Sequence, residues 1–144
     1  MGKFPYMAPR TVQTVIGAVT ASESPAANIF VAPCDCVIEG VGLVCGDEIT
    51  LHATNFANVV VQNVTPATAR TVASLTTETG EATANAIATD TYEALHLAAT
   101  DSFLELEEDE VLQVEFTESG TPGTGDLTEA AMVVRWVPGQ GAGQ

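Results

Sequence analysis

The second half of the chain carries the clearest alternation of hydrophobic and polar residues. Residues 111–118 and 131–137 each place three apolar side chains, at every second position, on one face. A period of two is typical of a β-strand that packs one face against a core and exposes the other. The residues predicted to face the core are Leu112, Val114, Phe116, Met132, Val134 and Trp136.

Shorter apolar segments in the rest of the chain, broken by Gly, Pro, Asn and Asp, predict further strands. Residues 77–90 lose this pattern in favour of Thr, Ala, Gly and Glu, which predicts a long surface loop. The further predicted strands are residues 11–20, 28–32, 36–45, 49–54 continuing after Asn55 into 59–64, 70–76, 92–97 and 103–106.

The third predicted strand is apolar on both faces. Val37, Val41 and Leu43 alternate there with Ile38 and Val44. Such a strand needs cover on both sides, and a small sandwich has few elements to supply it. We therefore predict that the protein oligomerises, because association of copies would cover the second face.

About eight strands without a helical period predict an all-β, single-domain antiparallel β-sandwich of the jelly-roll type. An immunoglobulin-like sandwich is the alternative topology. We expect an N-terminal arm at residues 1–10, the β-sandwich domain at residues 11–138 and a flexible Gly-rich tail at residues 139–144.

The charge of the chain narrows the classes of partner. The 144 residues hold 19 acidic and 4 basic side chains, a formal net charge of −15. A protein needs basic patches to bind a nucleic-acid backbone or an anionic membrane, so we expect neither as a partner. Lys3 is the single lysine. An acidic, lysine-poor surface predicts a salt-loving host, since concentrated salt screens the self-repulsion. A surface that keeps the protein soluble or faces a basic partner is the alternative.

The reactive side chains do not form a recognisable catalytic or metal-binding motif. Cys34, Cys36 and Cys45 lack the spacing of a zinc site and are interpreted as buried or half-buried apolar residues. His52 and His96 lie outside any HxH or HExxH pattern. The acidic run at residues 107–110 is interpreted as a solvated hairpin tip rather than a cation site. We expect no enzymatic activity and no cofactor.

The N-terminal arm is cationic and aromatic on an otherwise acidic chain. It holds two of the four positive charges together with Phe and Tyr side chains. Arginine and aromatic residues are enriched in interface cores, so the arm is a candidate element for docking on an acidic neighbouring subunit; a frayed terminus is the alternative. The candidate docking residues are Lys3, Phe4, Tyr6 and Arg10.

Several segments together resemble small jelly-roll head proteins of tailed phages. They are FVAPCDCVI at residues 30–38, VQN at 61–63, LHL at 95–97, DEVL at 109–112 and MVVRWV at 132–137. The resemblance covers roughly residues 29–138, and its motifs are loose β-sandwich features. The chain departs from the pattern of these proteins in the central loop, residues 77–90. They often carry more Gly and Asn there, whereas this chain has Thr, Ala and Glu.

The resemblance implies a non-enzymatic capsid decoration or turret component on the capsid exterior of a virion. Such proteins trimerise and contact the major capsid protein and neighbouring head proteins. With the acidic composition, it implies a tailed virus of a halophilic archaeon. Two alternatives remain: a carbohydrate- or small-ligand-binding module, with Tyr6, Tyr92 and Trp136 as aromatic candidates, and a cupin-like metal enzyme using His52 or His96.

Overall fold

The computed structural model describes residues 9–19, 26–120 and 127–139, and these ranges are organised as strands joined by turns. No helix among these residues has the length and apolar composition needed to cross a membrane. A 3-10 turn lies at Asp101–Phe103. The strands are β1 (Arg10–Val19), β2 (Ala26–Val31), β3 (Cys36–Val44), β4 (Phe56–Asn63), β5 (Arg70–Thr76), β6 (Glu93–Ala94), β7 (His96–Leu97), β8 (Glu105–Leu106), β9 (Val111–Ser119) and β10 (Leu127–Pro138).

The strands form two antiparallel sheets. The first sheet has the order β1-β10-β3, and both β6 and β8 pair with β3. The second sheet has the order β2-β9-β4-β5-β7. Except at the β4–β5 hairpin, each connection passes from one sheet to the other. This interleaved order is that of a jelly roll, with the short β6 and β8 sharing one strand position.

The core lies between the two sheets, on the faces that the alternation predicts for β9 and β10. Leu112, Val114 and Phe116 of β9 are all buried, and so are the three inward residues of β10. On the neighbouring strand β4, Val59 and Val61 are fully buried as well. Thr14 closes one side of the sandwich, because its hydroxyl donates to the carbonyl oxygen of Ile29 (3.0 Å) and so joins the edge strands of the two sheets.

β3 is apolar on both faces, as predicted, but the predicted faces of Val37 and Ile38 are exchanged, and a β-bulge is the reason. Arg135 of β10 pairs with Gly40, and the next residue, Trp136, pairs with Ile38, which leaves Glu39 as an extra residue. The bulge turns Ile38 to the same, inner face as Val41. Sequence alternation cannot register an inserted residue of this kind.

The outer face of β3 is covered in part by the chain itself. A Cβ atom at Gly42 would overlap the ring of Tyr92, so this ring lies directly on the glycine. The side chain of Arg135 lies over Gly40, with Cβ and Cδ 3.7 Å from the position of an added Cβ. Val37 and Val44 are half-buried on this face. The chain itself therefore supplies part of the cover that β3 needs, and β3 gives less reason to expect oligomerisation than the sequence suggests.

Two other segments differ from the predicted strands. Residues 49–54 form isolated bridges at Ile49 and His52 instead of a strand. Residues 92–97 divide between the sheets, because β6 pairs with β3 and β7 pairs with β5. Leu95, between these two short strands, is buried in the core where the chain changes sheets.

Candidate docking surfaces

The structure places Arg10 at the first residue of β1, against the edge of the core. Lys3, Phe4 and Tyr6, the other candidate docking residues, lie outside the described residues. The guanidinium carbon of Arg10 is 5.2 Å from the ring centre of Trp136, which is within cation–π range. The register of the antiparallel strands explains this contact, since Arg10 of β1 pairs with Trp136 of β10.

Trp136 belongs to the core, as its position in the alternation predicts. It is 5% exposed, and its ring centre lies 5.7 Å from that of Phe30 on the facing sheet. Arg10 therefore covers a core aromatic while remaining exposed itself. Its charged end is available to a partner.

The acidic run at residues 107–110 forms an ordered turn between β8 and β9. One carboxylate oxygen of Glu110 accepts hydrogen bonds from the side-chain amide of Asn63 (2.9 Å) and from the backbone N–H of Glu107 (2.9 Å). Asp35 accepts from the backbone N–H of Glu108 (3.0 Å). These carboxylates thus stabilise the turn, and Glu107, Glu108 and Asp109 are exposed. The hairpin part of the interpretation is wrong, because β8 pairs with β3 in the first sheet and β9 lies in the second, so the turn joins the two sheets.

A cleft of about 300 Å³ lies beside this turn. It brings the guanidinium of Arg70 together with three glutamates, and Arg70 also stacks on Phe103 at 5.8 Å. Among the described residues, no group of three or more His, Cys, Asp or Glu side chains is placed to hold a metal ion. The cleft is lined by Pro66, Arg70, Ser102, Glu105, Leu106, Glu107 and Glu110.

The three cysteines are free, and burial keeps the thiols of Cys36 and Cys45 in their protonated form. Cys36 and Cys45 are fully buried, and Cys34 is half-buried. Burial, reinforced by the carboxylates of Asp35 and Glu110 and by the neighbouring Cys34, raises the pKa of the Cys36 thiol to about 12. Burial also raises the pKa of Cys45. Because the thiolate is the nucleophile and the metal ligand, these two cysteines are inert at neutral pH.

The histidines occupy exposed positions on different elements. His52 has a structural role, because its Nδ1 accepts the backbone N–H groups of Thr54 (3.1 Å) and Asn55 (3.0 Å). His96 lies on β7 and pairs with Ser74 of β5. Neither histidine belongs to a group of metal-ligating side chains in the described ranges.

Sequence reasoning missed the outer face of the first sheet, which is largely uncharged. The pairing of β1 with β10 and of β10 with β3 aligns outward-facing residues of the three strands in two rows across this sheet. We call this surface the Val15 face, after its most exposed large hydrophobic residue, which is 73% exposed. It consists of Gln13 and Val15 of β1, Val44 of β3, Ala131 and Val133 of β10, and Tyr92, which lies over Gly42.

The outer face of the second sheet carries a more polar groove, of about 300 Å³. Hydroxyl and amide groups from the strands form its floor, and two glutamates of the loop at residues 77–90 form its wall. Its polar lining residues include Asn58, Ser74, Thr76, Glu78, Glu81, Thr83 and Thr117.

Comparison with known proteins does not assign this chain to a family. No family model matches it, and no curated protein matches it in sequence. Among solved structures, it is similar to a chain in the structure of infectious bursal disease virus, Gx strain, with 14% sequence identity and a TM-score of 0.35. The match covers 99% of this chain and 41% of the viral chain, so the protein spans about two-fifths of that chain's length.

Proposed function

We propose that this protein is a non-enzymatic structural subunit of a virion, a capsid decoration or turret component. It forms a homo-oligomer, a trimer in the simplest arrangement, and binds the outer surface of the major capsid lattice beside neighbouring head proteins. The observation that carries this proposal is the jelly-roll strand order, because it is the architecture of the phage head proteins that the sequence resembles.

The distribution of charge supports placement on the capsid exterior. A net charge of −15 on one small domain favours a hydrated surface that faces solvent. The lysine-poor composition further supports a virus of a halophilic archaeon, because molar salt reduces the Debye length to about 3 Å. Arg10 and the preceding arm supply positive charge for docking on an acidic neighbour.

Co-sedimentation tests this function. The full chain is mixed with assembled shells of the major capsid protein from the same virus, in multimolar KCl. We expect saturable binding, and we expect the Lys3→Ala, Phe4→Ala, Tyr6→Ala triple variant to bind about tenfold more weakly, because a hot-spot cluster is typically worth 1–2 kcal/mol or more. Thr71→Asp, at an exposed position on β5, changes the net charge by the same amount as Lys3→Ala. This control variant should bind normally. Absence of saturable binding at every KCl concentration would overturn the proposal.

A carbohydrate- or small-ligand-binding module is the second candidate function. The polar groove on the second sheet favours it, since hydroxyl, amide and carboxylate groups recognise sugar hydroxyls. The aromatic platform typical of such sites is not part of this groove, because Tyr92 lies on the first sheet and Trp136 is in the core. Calorimetric titration with neutral saccharides separates the two functions: saturable heat that Asn58→Ala abolishes would favour the module.

A further inference from the structure

We propose that the Val15 face is the surface through which the chain binds a second copy of itself. This inference rests on the self-association in the proposed function and identifies the part of the molecule that carries it.

The outward direction of these side chains follows from strand register. Val15 pairs with Ala131, and Ala131 pairs with Val44, so the three side chains form one row across the sheet. In the next row Gln13 pairs with Val133, which pairs with Gly42 beneath Tyr92. The row between them consists of Thr14, Met132 and Leu43, and the latter two are fully buried in the core. Alternation therefore directs the two flanking rows away from the core.

Exposure makes this face a suitable interface. Val15 is 73% exposed and Tyr92 is 44% exposed, and both lie next to half-buried valines. A rigid sheet presents them at fixed spacing. Apolar and aromatic side chains that are contiguous on a surface gain most from being covered. The strand that bears Val15 is also an edge strand among the described residues, so a neighbour meets no covering strand there.

Charge identifies the occupant as a second copy. The two outer rows contain no ionisable group except the phenol of Tyr92, in a chain of net charge −15. Copies of the chain repel each other most where carboxylates meet, and Val15 faces that converge on a threefold axis bring none together at their centre. A basic partner would instead be drawn to the carboxylates elsewhere on the surface.

The rim of this face is complementary to itself. Exposed Arg135 and exposed Glu39 lie close together at the β3 bulge, where Arg135 pairs with Gly40. Where three copies meet on a threefold axis, an edge that bears charges of both signs can be matched by the next copy, with Arg135 of each copy facing Glu39 of the next.

Val31 provides a matched comparison. It is a valine on an edge strand, β2, and is 55% exposed. Its neighbour Ala32 exchanges backbone hydrogen bonds with Asp109 and Glu110 of the acidic turn. A second copy at this position would bring carboxylates together, so Val31 should lie outside the interface.

Light scattering of the Val15→Glu and Val31→Glu variants in multimolar KCl, over a dilution series, tests the inference. We expect Val15→Glu to shift the protein towards the mass of a single chain and to raise the dissociation constant at least tenfold. Val31→Glu should keep the mass of the unsubstituted protein. Gln13→Glu is a second variant on the same face at an exposed polar position, and circular dichroism verifies that each variant is folded.

The outcomes separate this inference from the proposed function. If folded Val15→Glu and Gln13→Glu keep the oligomeric mass, the Val15 face is not the interface, while self-association stands. If the unsubstituted chain has the mass of one chain at every KCl concentration, self-association fails as well. Shell co-sedimentation then tests capsid docking independently.

Discussion

Phe116→Ala should produce the largest loss of stability among single substitutions in the core. Phe116 is 1% exposed, lies in the middle of β9 and pairs with fully buried Val59 of β4. Truncation of a buried phenylalanine typically costs about 3–5 kcal/mol, because burial is lost and a cavity remains. The total free energy of unfolding of a domain of this size is roughly 5–15 kcal/mol. Denaturant unfolding in multimolar KCl measures the change, and the melting temperature should fall by on the order of 10 °C.

Phe103→Ala is the matched control for this prediction. Phe103 is half-buried in the 3-10 turn and stacks with Arg70, so its truncation opens no closed cavity between the sheets. We expect a loss clearly smaller than that of Phe116→Ala. Equal losses for the two variants would contradict the assignment of Phe116 to the centre of the core.

Ile87→Ala should cause the second large loss of stability, concentrated in the connection that this residue holds. Ile87 is fully buried and exchanges two backbone hydrogen bonds of 2.8 Å with buried Ile49. The residue therefore fastens the long connection between β5 and β6 to the sandwich. Removing its side chain should cost about 2–5 kcal/mol and should accelerate hydrogen exchange at the amides of Ile49 and Ile87.

Ile87→Val removes one methylene group and should cost only about 0.5–1.5 kcal/mol. This graded response is expected only if the side chain fills a closed site. A protein whose stability and amide exchange are unchanged by Ile87→Ala would show that the connection is held without this anchor.

The sequence predicts best the strands that have one solvent-exposed face and one buried face. Alternation in β9 and β10 identifies Phe116 and Trp136 as core residues, and both are buried. The predicted bounds of β5 also coincide with those in the structure, Arg70–Thr76, although its burial does not alternate, since adjacent Val72 and Ala73 are both buried. In these segments the hydrophobic period and the tertiary structure impose the same pattern, so local sequence is sufficient.

Errors arise where tertiary structure overrides the local pattern. The bulge at Glu39 reverses the face of Ile38, and only the register with β10 reveals it. The segment around Leu95 has a strand-like composition, but its halves pair in different sheets because the chain turns a corner there. Residues 77–90 look like a surface loop from composition, and yet Thr77 and Ile87 in it are fully buried.

The candidate surfaces were predictable only in part. Composition identifies Arg10 as part of a cationic segment, but its contact with Trp136 depends on the pairing of β1 with β10. The Val15 face is assembled from three strands that are distant in sequence. No local motif marks it, since Val15 and Val133 become neighbours only through strand register.

The proposed function depends above all on self-association of this acidic jelly roll in concentrated salt. The most direct measurement is the molar mass of the full chain by light scattering, at about 0.1 M and at multimolar KCl, where the screening lengths differ severalfold. We predict a trimer, three times the 14.9 kDa chain mass, in high salt, and dissociation or unfolding in low salt. A folded particle of 14.9 kDa at both salt concentrations would contradict the account.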